Sequence, residues 1–205
     1  MVITEKLLRE LDVCQPGIDL WLTKKEPDPI SCIDQLIKIK RFYYATWLIA
    51  HLLTPKNAAK LAIYSAEQAL PVFEARCPID NRPRKAIQAA KKVLKNPTKE
   101  NINAVHAAAD LISTYSGDYA ALSAKSGDYA ALSAKYAARC SGDYVALSAR
   151  HAALCSGDYV AALVSTYPGD YAALAIICTC EANFTDMERI ICYGKTLLRK
   201  QIKEG

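Results

Sequence analysis

The residues able to do chemistry are scattered along this chain, and their spacing argues against a reaction centre. The three histidines, His51, His106 and His151, each fall in a different helical segment. No HExxH, CxxC, GxGxxG, P-loop or GxSxG pattern occurs, so no nucleophile–base pair, phosphate cradle or paired metal ligands can be assigned. Cys178 and Cys180, with Cys192, come nearest to a thiolate site. In a helical pattern, however, a Cys-x-Cys pair points its side chains about 200° apart. The eight cysteines have no framework spacing and follow no export signal, so they read as small buried hydrophobes of a reducing compartment. The expectation is a protein without catalytic residues, metal or cofactor.

Two charged groupings remain. Glu67, Glu74, Asp80, Arg82, Arg84 and Lys85 crowd the segment around CPIDNRPRK. The forked guanidiniums of Arg82 and Arg84 suit a bidentate anion. With Glu74 and Asp80 they would instead form an ion-pair lock on the turn between two helices, which is the favoured reading. Lys85, Lys91, Lys92 and Lys95, with Arg84 and Lys99 beside them, form a basic helix face. It reads as a solvated surface first and as a nucleic-acid face second. The formal charge of +5 is uneven, with 17 basic and 12 acidic groups in residues 1–115. That excess points to an acidic partner or to solubility.

The third grouping is a repeat. Gly-Asp-Tyr occurs five times between Gly117 and Tyr171, four times after Ser and once after Pro168. Gaps of 10, 15 and 15 residues suggest a β-solenoid over 116–175, but the last gap of 12 breaks the frame. Helical spacing fits better: Tyr129, Leu132 and Tyr136 stand at i, i+3, i+7, and Tyr144, Leu147, His151 and Leu154 extend the same stripe. Ser is a good N-cap and Asp suits the first turn, so each SGDY begins a new short helix. Asp118, Tyr119, Asp128, Tyr129, Asp143, Tyr144, Asp158 and Tyr159 then form a candidate surface for a protein partner, although tyrosines at this spacing are also ordinary core residues.

The elements that must position these groups are helical. The composition is 52% hydrophobic and rich in alanine, the best helix former. Thr4 caps a first segment, Gly17 to Leu22 forms a second before the Pro27/Pro29 break, and Ser31 with Asp34 resembles a capping box. RFYYATWLIAHLL, apolar nearly all round, reads as the central buried helix. After Pro55 the pattern continues until Pro71 kinks or ends it. Next comes RPRKAIQAAKKVLK, with Ile87, Ala90 and Leu94 on its apolar face, then a helix from Thr98 to about Thr114. The last helix starts at Thr185 and presents Met187, Ile190, Ile191 and Leu197 or Leu198 to the first half. The reading is a single all-α domain over 1–205, made of an amphipathic half (1–115), repeat helices (116–178) and a closing helix (181–203). No stretch approaches 18 apolar residues and the first ten are interrupted by charge, so a cytosolic protein without a membrane span is expected.

WLIAHLL (Trp47 to Leu53), the segment from Ala62 to Thr98 and MERIICYGKTLL (Met187 to Leu198) resemble the Imm-five-like immunity proteins of bacteria and phages. The most specific stretch is Phe73-Glu74 through Asp80-x-Arg82-Pro83-Arg84-Lys85-Ala86-Ile87. The resemblance covers roughly residues 1–115 and 180–200, and the Gly-Asp-Tyr punctuation departs from the family's smoother Ala/Tyr run. It implies a compact helical protein, with no agreed catalytic residues, that binds and neutralises a protein toxin or nuclease. A phage-borne anti-CRISPR inhibitor is a close variant. The alternative is a nucleic-acid binder using Arg84, Lys85, Lys91, Lys92 and Lys95.

Overall fold

A computed structural model describes residues 1–76, 78–108 and 187–205 of the chain. Among these residues the fold is all-α, with eight helices and no strand. They are α1 (Glu5–Glu10), α2 (Gln15–Leu22), α3 (Pro29–Lys38), α4 (Phe42–Leu52), α5 (Pro55–Arg76), α6 (Arg82–Lys95), α7 (99–108) and α8 (Met187–Glu204). None of them is long and apolar enough to cross a membrane. The repeat helices, the β-solenoid alternative and the start of the last helix at Thr185 fall outside the described residues.

Local chemistry explains most of the boundaries. The Thr4 hydroxyl accepts the Leu7 N–H at 3.1 Å and starts α1. Helix α3 begins earlier than the sequence suggests. Its N-cap is Asp28, whose carboxylate accepts the Ser31 N–H at 2.7 Å, so Ser31 lies inside the first turn and does not cap it. Pro29 occupies that first turn, where a missing N–H costs nothing, and so it opens the helix instead of breaking the chain. Pro16 does the same for α2. Thr98 precedes α7, and its hydroxyl accepts the Asn101 N–H at 3.2 Å.

Two helices end in Schellman turns without glycine. Asp12 N–H reaches the Arg9 carbonyl while Val13 N–H reaches that of Leu8, and Lys40 and Arg41 repeat the pattern on Ile37 and Leu36. Asp12 and Lys40 accordingly take φ of +59°, a left-handed conformation that costs an L-residue about 1 kcal/mol or more. Helix α5 does not stop at Pro71; it runs through it to Arg76.

Every described helix gives at least one buried residue to the core, and α3, α4, α5, α6 and α8 give most of them. Alanines 45, 50, 58, 59, 62, 66, 86 and 90 are fully enclosed and let backbones approach closely, while Ile33, Ile49, Leu61, Val93, Ile190 and Leu198 supply the apolar bulk. On α6 the buried stripe is Ala86, Ile87, Ala90 and Val93; Leu94 is only half-buried beside it. Helix α8 packs on α4 and α5, stacking Tyr193 on Tyr64 at 4.3 Å between ring centres. The Gln201 side chain bridges the α4–α5 junction: its amide donates to the Leu52 carbonyl at 2.9 Å and its oxygen accepts the Thr54 N–H at 2.7 Å. Two backbone groups left over at helix ends are thereby satisfied. Lys195 of α8 pairs with Asp34 of α3.

The Asp28 cap supplies a pH-dependent test. The Ser31 N–H, the largest influence on it, holds the Asp28 carboxyl below the ordinary carboxylate range. A group whose folded pKa is depressed stabilises the fold above its unfolded value, near 3.8, and loses that contribution as pH falls through the folded value. Asp28→Ala should therefore cost about 1 kcal/mol at neutral pH and progressively less below pH ~3.8. Urea melts at pH 7 and pH 3 check this; an equal loss at both would reject the cap.

Candidate functional site

Two places on the described surface concentrate chemistry. The first is the corner between α5 and α6. Arg84 forks onto Glu74, with Nε and Nη2 each donating to a carboxylate oxygen at 2.6 Å. Asp80, ahead of α6, accepts the Arg82 backbone N–H at 3.0 Å and the Arg82 guanidinium at 2.8 and 3.1 Å. That hydrogen bonding keeps the Asp80 carboxyl below its ordinary range and raises Arg82 in turn. Glu74 raises Arg84 likewise. Lys91 pairs with Glu67 across the α5–α6 groove.

Glu74, Asp80, Arg82 and Arg84 are thus joined two by two, and their donors already face carboxylates. The geometry is that of a clamp on the turn between α5 and α6, and exposed pairs of this kind each contribute only about 0–1 kcal/mol. Of the basic face, Lys85, Lys92 and Lys95 are exposed, and Lys85 and Lys92 border a shallow hollow of about 240 Å³ against Asn101 and Ala104 of α7. Asp118, Tyr119, Asp128, Tyr129, Asp143, Tyr144, Asp158 and Tyr159 lie outside the described residues.

The second place was not foreseen. A cleft of about 370 Å³ opens where α2 and α3 meet the first turns of α4. Its walls are mostly apolar, with Trp21 and Leu20 from α2, Cys32 and Leu36 from α3, and Tyr44, Trp47 and Leu48 from α4. Tyr43, 58% exposed, and Ile39, 46% exposed, stand among the lining residues. Helix α4 is therefore not buried all round. Leu48, Ile49, Ala50 and Leu52 are enclosed, whereas Phe42, Tyr44 and Trp47 are half-buried and Tyr43 is open.

The polar groups of this cleft are largely engaged with one another. The Trp21 indole donates to the Glu26 carbonyl at 2.9 Å, and the Glu26 carboxylate accepts the Asp28 N–H and the Gln35 amide, both at 3.0 Å. The Thr23 hydroxyl donates to the Leu20 carbonyl at 2.7 Å. Besides Glu26 the lining carries two charged side chains, the exposed Asp12 and Lys24, and the rest of it is mainly aromatic and aliphatic.

Among the described residues the remaining chemical groups do not converge, and His151, Cys178 and Cys180 lie outside them. His51 stacks on Trp47 at 3.7 Å and its Nδ1 lies 2.8 Å from the Trp47 carbonyl, an intrahelical contact of a half-buried ring. Cys32 is a core thiol, pushed up to about 11 mainly by burial, and so stays protonated at neutral pH. Cys14 and Cys192 are exposed, contrary to the expectation of buried thiols: Cys14 precedes α2 at the cleft, and Cys192 lies on the outer side of α8. Among the described residues no three His, Cys, Asp or Glu side chains gather as a metal site would need. No family model, curated protein or solved structure matches the chain.

Proposed function

We propose that this is a non-enzymatic binding protein of the immunity type, which neutralises a protein toxin or nuclease in the cytoplasm by stoichiometric contact. A phage-encoded inhibitor of a host defence nuclease is one form of that activity. The observation that carries this reading over nucleic-acid binding is the state of the basic corner. Arg84 and Lys91, two of the five cations that would contact phosphates, face Glu74 and Glu67, and Arg82 beside them faces Asp80. Lys85, Lys92 and Lys95 remain, too few for a tight sequence-independent grip. The resemblance to the Imm-five-like proteins and the acidic, tyrosine-bearing Gly-Asp-Tyr copies support a protein as the partner.

The experiment has two arms. Oligonucleotide binding at 50 and 200 mM salt should be weak, with a log–log slope no steeper than about −3, the limit for three lysines. Nanomolar affinity with a steeper slope, abolished by Lys85, Lys92 and Lys95 replaced by Ala, would establish the nucleic-acid alternative instead. In the second arm, tagged protein is used to isolate a toxin or nuclease partner from the native host. Asp128, Asp143 and Asp158 replaced together by Ala should weaken that complex at least tenfold without moving the melting temperature. Unchanged affinity would remove the repeat as the contact surface.

A further inference from the structure

We infer that the cleft between α2, α3 and α4 is a binding site for a small, neutral, largely aromatic or alicyclic molecule. Size is the first argument. Ligand sites usually begin near 300 Å³, and this cleft, at about 370 Å³, lies at the small end of their range, suited to a molecule of two or three small rings.

Polarity is the second argument. The Trp21 indole N–H, the Glu26 carboxylate and the Thr23 hydroxyl are committed to partners within the protein, and the other charged side chains of the lining, Asp12 and Lys24, are solvent-exposed and of opposite sign. A charged ligand would gain little from two exposed groups that offer no net charge, whereas a neutral apolar one gains from burial. The third is the character of the walls: Trp21, Trp47, Tyr43 and Tyr44 line the cleft together with Leu36 and solvent-exposed Ile39, and although His51 stacks on Trp47, so ring-rich a lining favours offset or edge-to-face contact with an aromatic occupant. The inference is independent of the immunity reading, because it rests on different residues from those of the α5–α6 corner and of the Gly-Asp-Tyr copies.

The chain carries only two tryptophans, Trp21 and Trp47, and both line this cleft, so intrinsic emission reports on it alone. The probe is N-phenyl-1-naphthylamine, a neutral three-ring aromatic amine excited at the wavelength where tryptophan emits. Titrated into the full-length protein, it should show saturable energy transfer at one molecule per chain. Leu36→Trp, which fills the cleft, should weaken binding at least tenfold with an unchanged far-ultraviolet dichroism spectrum. If that variant does not fold, Tyr43→Glu decides, since it places a charge at the exposed mouth without touching the core. A tenfold or greater loss with Tyr43→Glu supports the site. No saturable transfer in the parent protein, or equal affinity in Tyr43→Glu, overturns it.

Discussion

Leu198→Ala is expected to destabilise the protein by about 3 kcal/mol and to lower its melting temperature by about 10 °C. Leu198 is wholly enclosed, in a helix whose neighbours α4 and α5 come well over a hundred residues earlier in the chain. Its removal forfeits the transfer free energy of the lost methyl groups and leaves a cavity that rigid neighbours cannot close. A typical domain has only 5–15 kcal/mol of stability, so this single truncation takes a large share. Chemical denaturation monitored at 222 nm measures it. A loss under ~1 kcal/mol would mean that α8 is not docked in the core.

Filling the helix contact should be comparably harmful. A Cβ at Gly194 would lie 2.7 Å from the Ile49 Cγ2 methyl and 3.3 Å from Leu61 Cδ2. The Ile49 methyl sits on a stiff β-branched carbon and cannot swing aside. Gly194→Leu should therefore cost about 3 kcal/mol through overpacking, even though leucine is the better helix former. Gly194→Ala should cost less but still destabilise, because it keeps the 2.7 Å Cβ contact while roughly 1 kcal/mol of helix propensity offsets part of it. Adding Ile49→Ala to Gly194→Leu should give a total loss smaller than the sum of the single losses, which tests the contact itself. Additive losses would locate the damage elsewhere.

These two positions also show which parts of the molecule were legible in advance. Helical class followed from alanine content and from 3.6-residue stripes such as Ile87–Ala90, and Thr4 and Thr98 were readable as start signals. On α6 the stripe of Ile87, Ala90 and Leu94 in the sequence differs by one residue from the buried one, since Leu94 and Val93 are both apolar and only packing on α5 chooses Val93. Asp28 and Ser31 are both good caps, and Pro29 in the first turn decided between them. The ends at Asp12 and Lys40 carried no glycine to mark them. Gly194 within a helical pattern gave no hint of its purpose, because the reason is a methyl group on α4.

The candidate site was legible only in part. Charges around CPIDNRPRK announced a cluster, but the matching of Arg84 with Glu74, ten residues apart, required the turn to fold. The cleft left no trace in periodicity. RFYYATWLIAHLL is apolar on every side, so its moment could not separate the half that is enclosed from the half that faces the opening. The concentration of aromatic residues in FYYATW was the available signal.

Helices α7 and α8 bracket residues 109–186, and α8 is anchored by Leu198, Gln201 and the Asp34 pair. Helix α8 therefore closes the core from the far end of the sequence, and a chain cut ahead of it would lay open the apolar faces of α4 and α5 together.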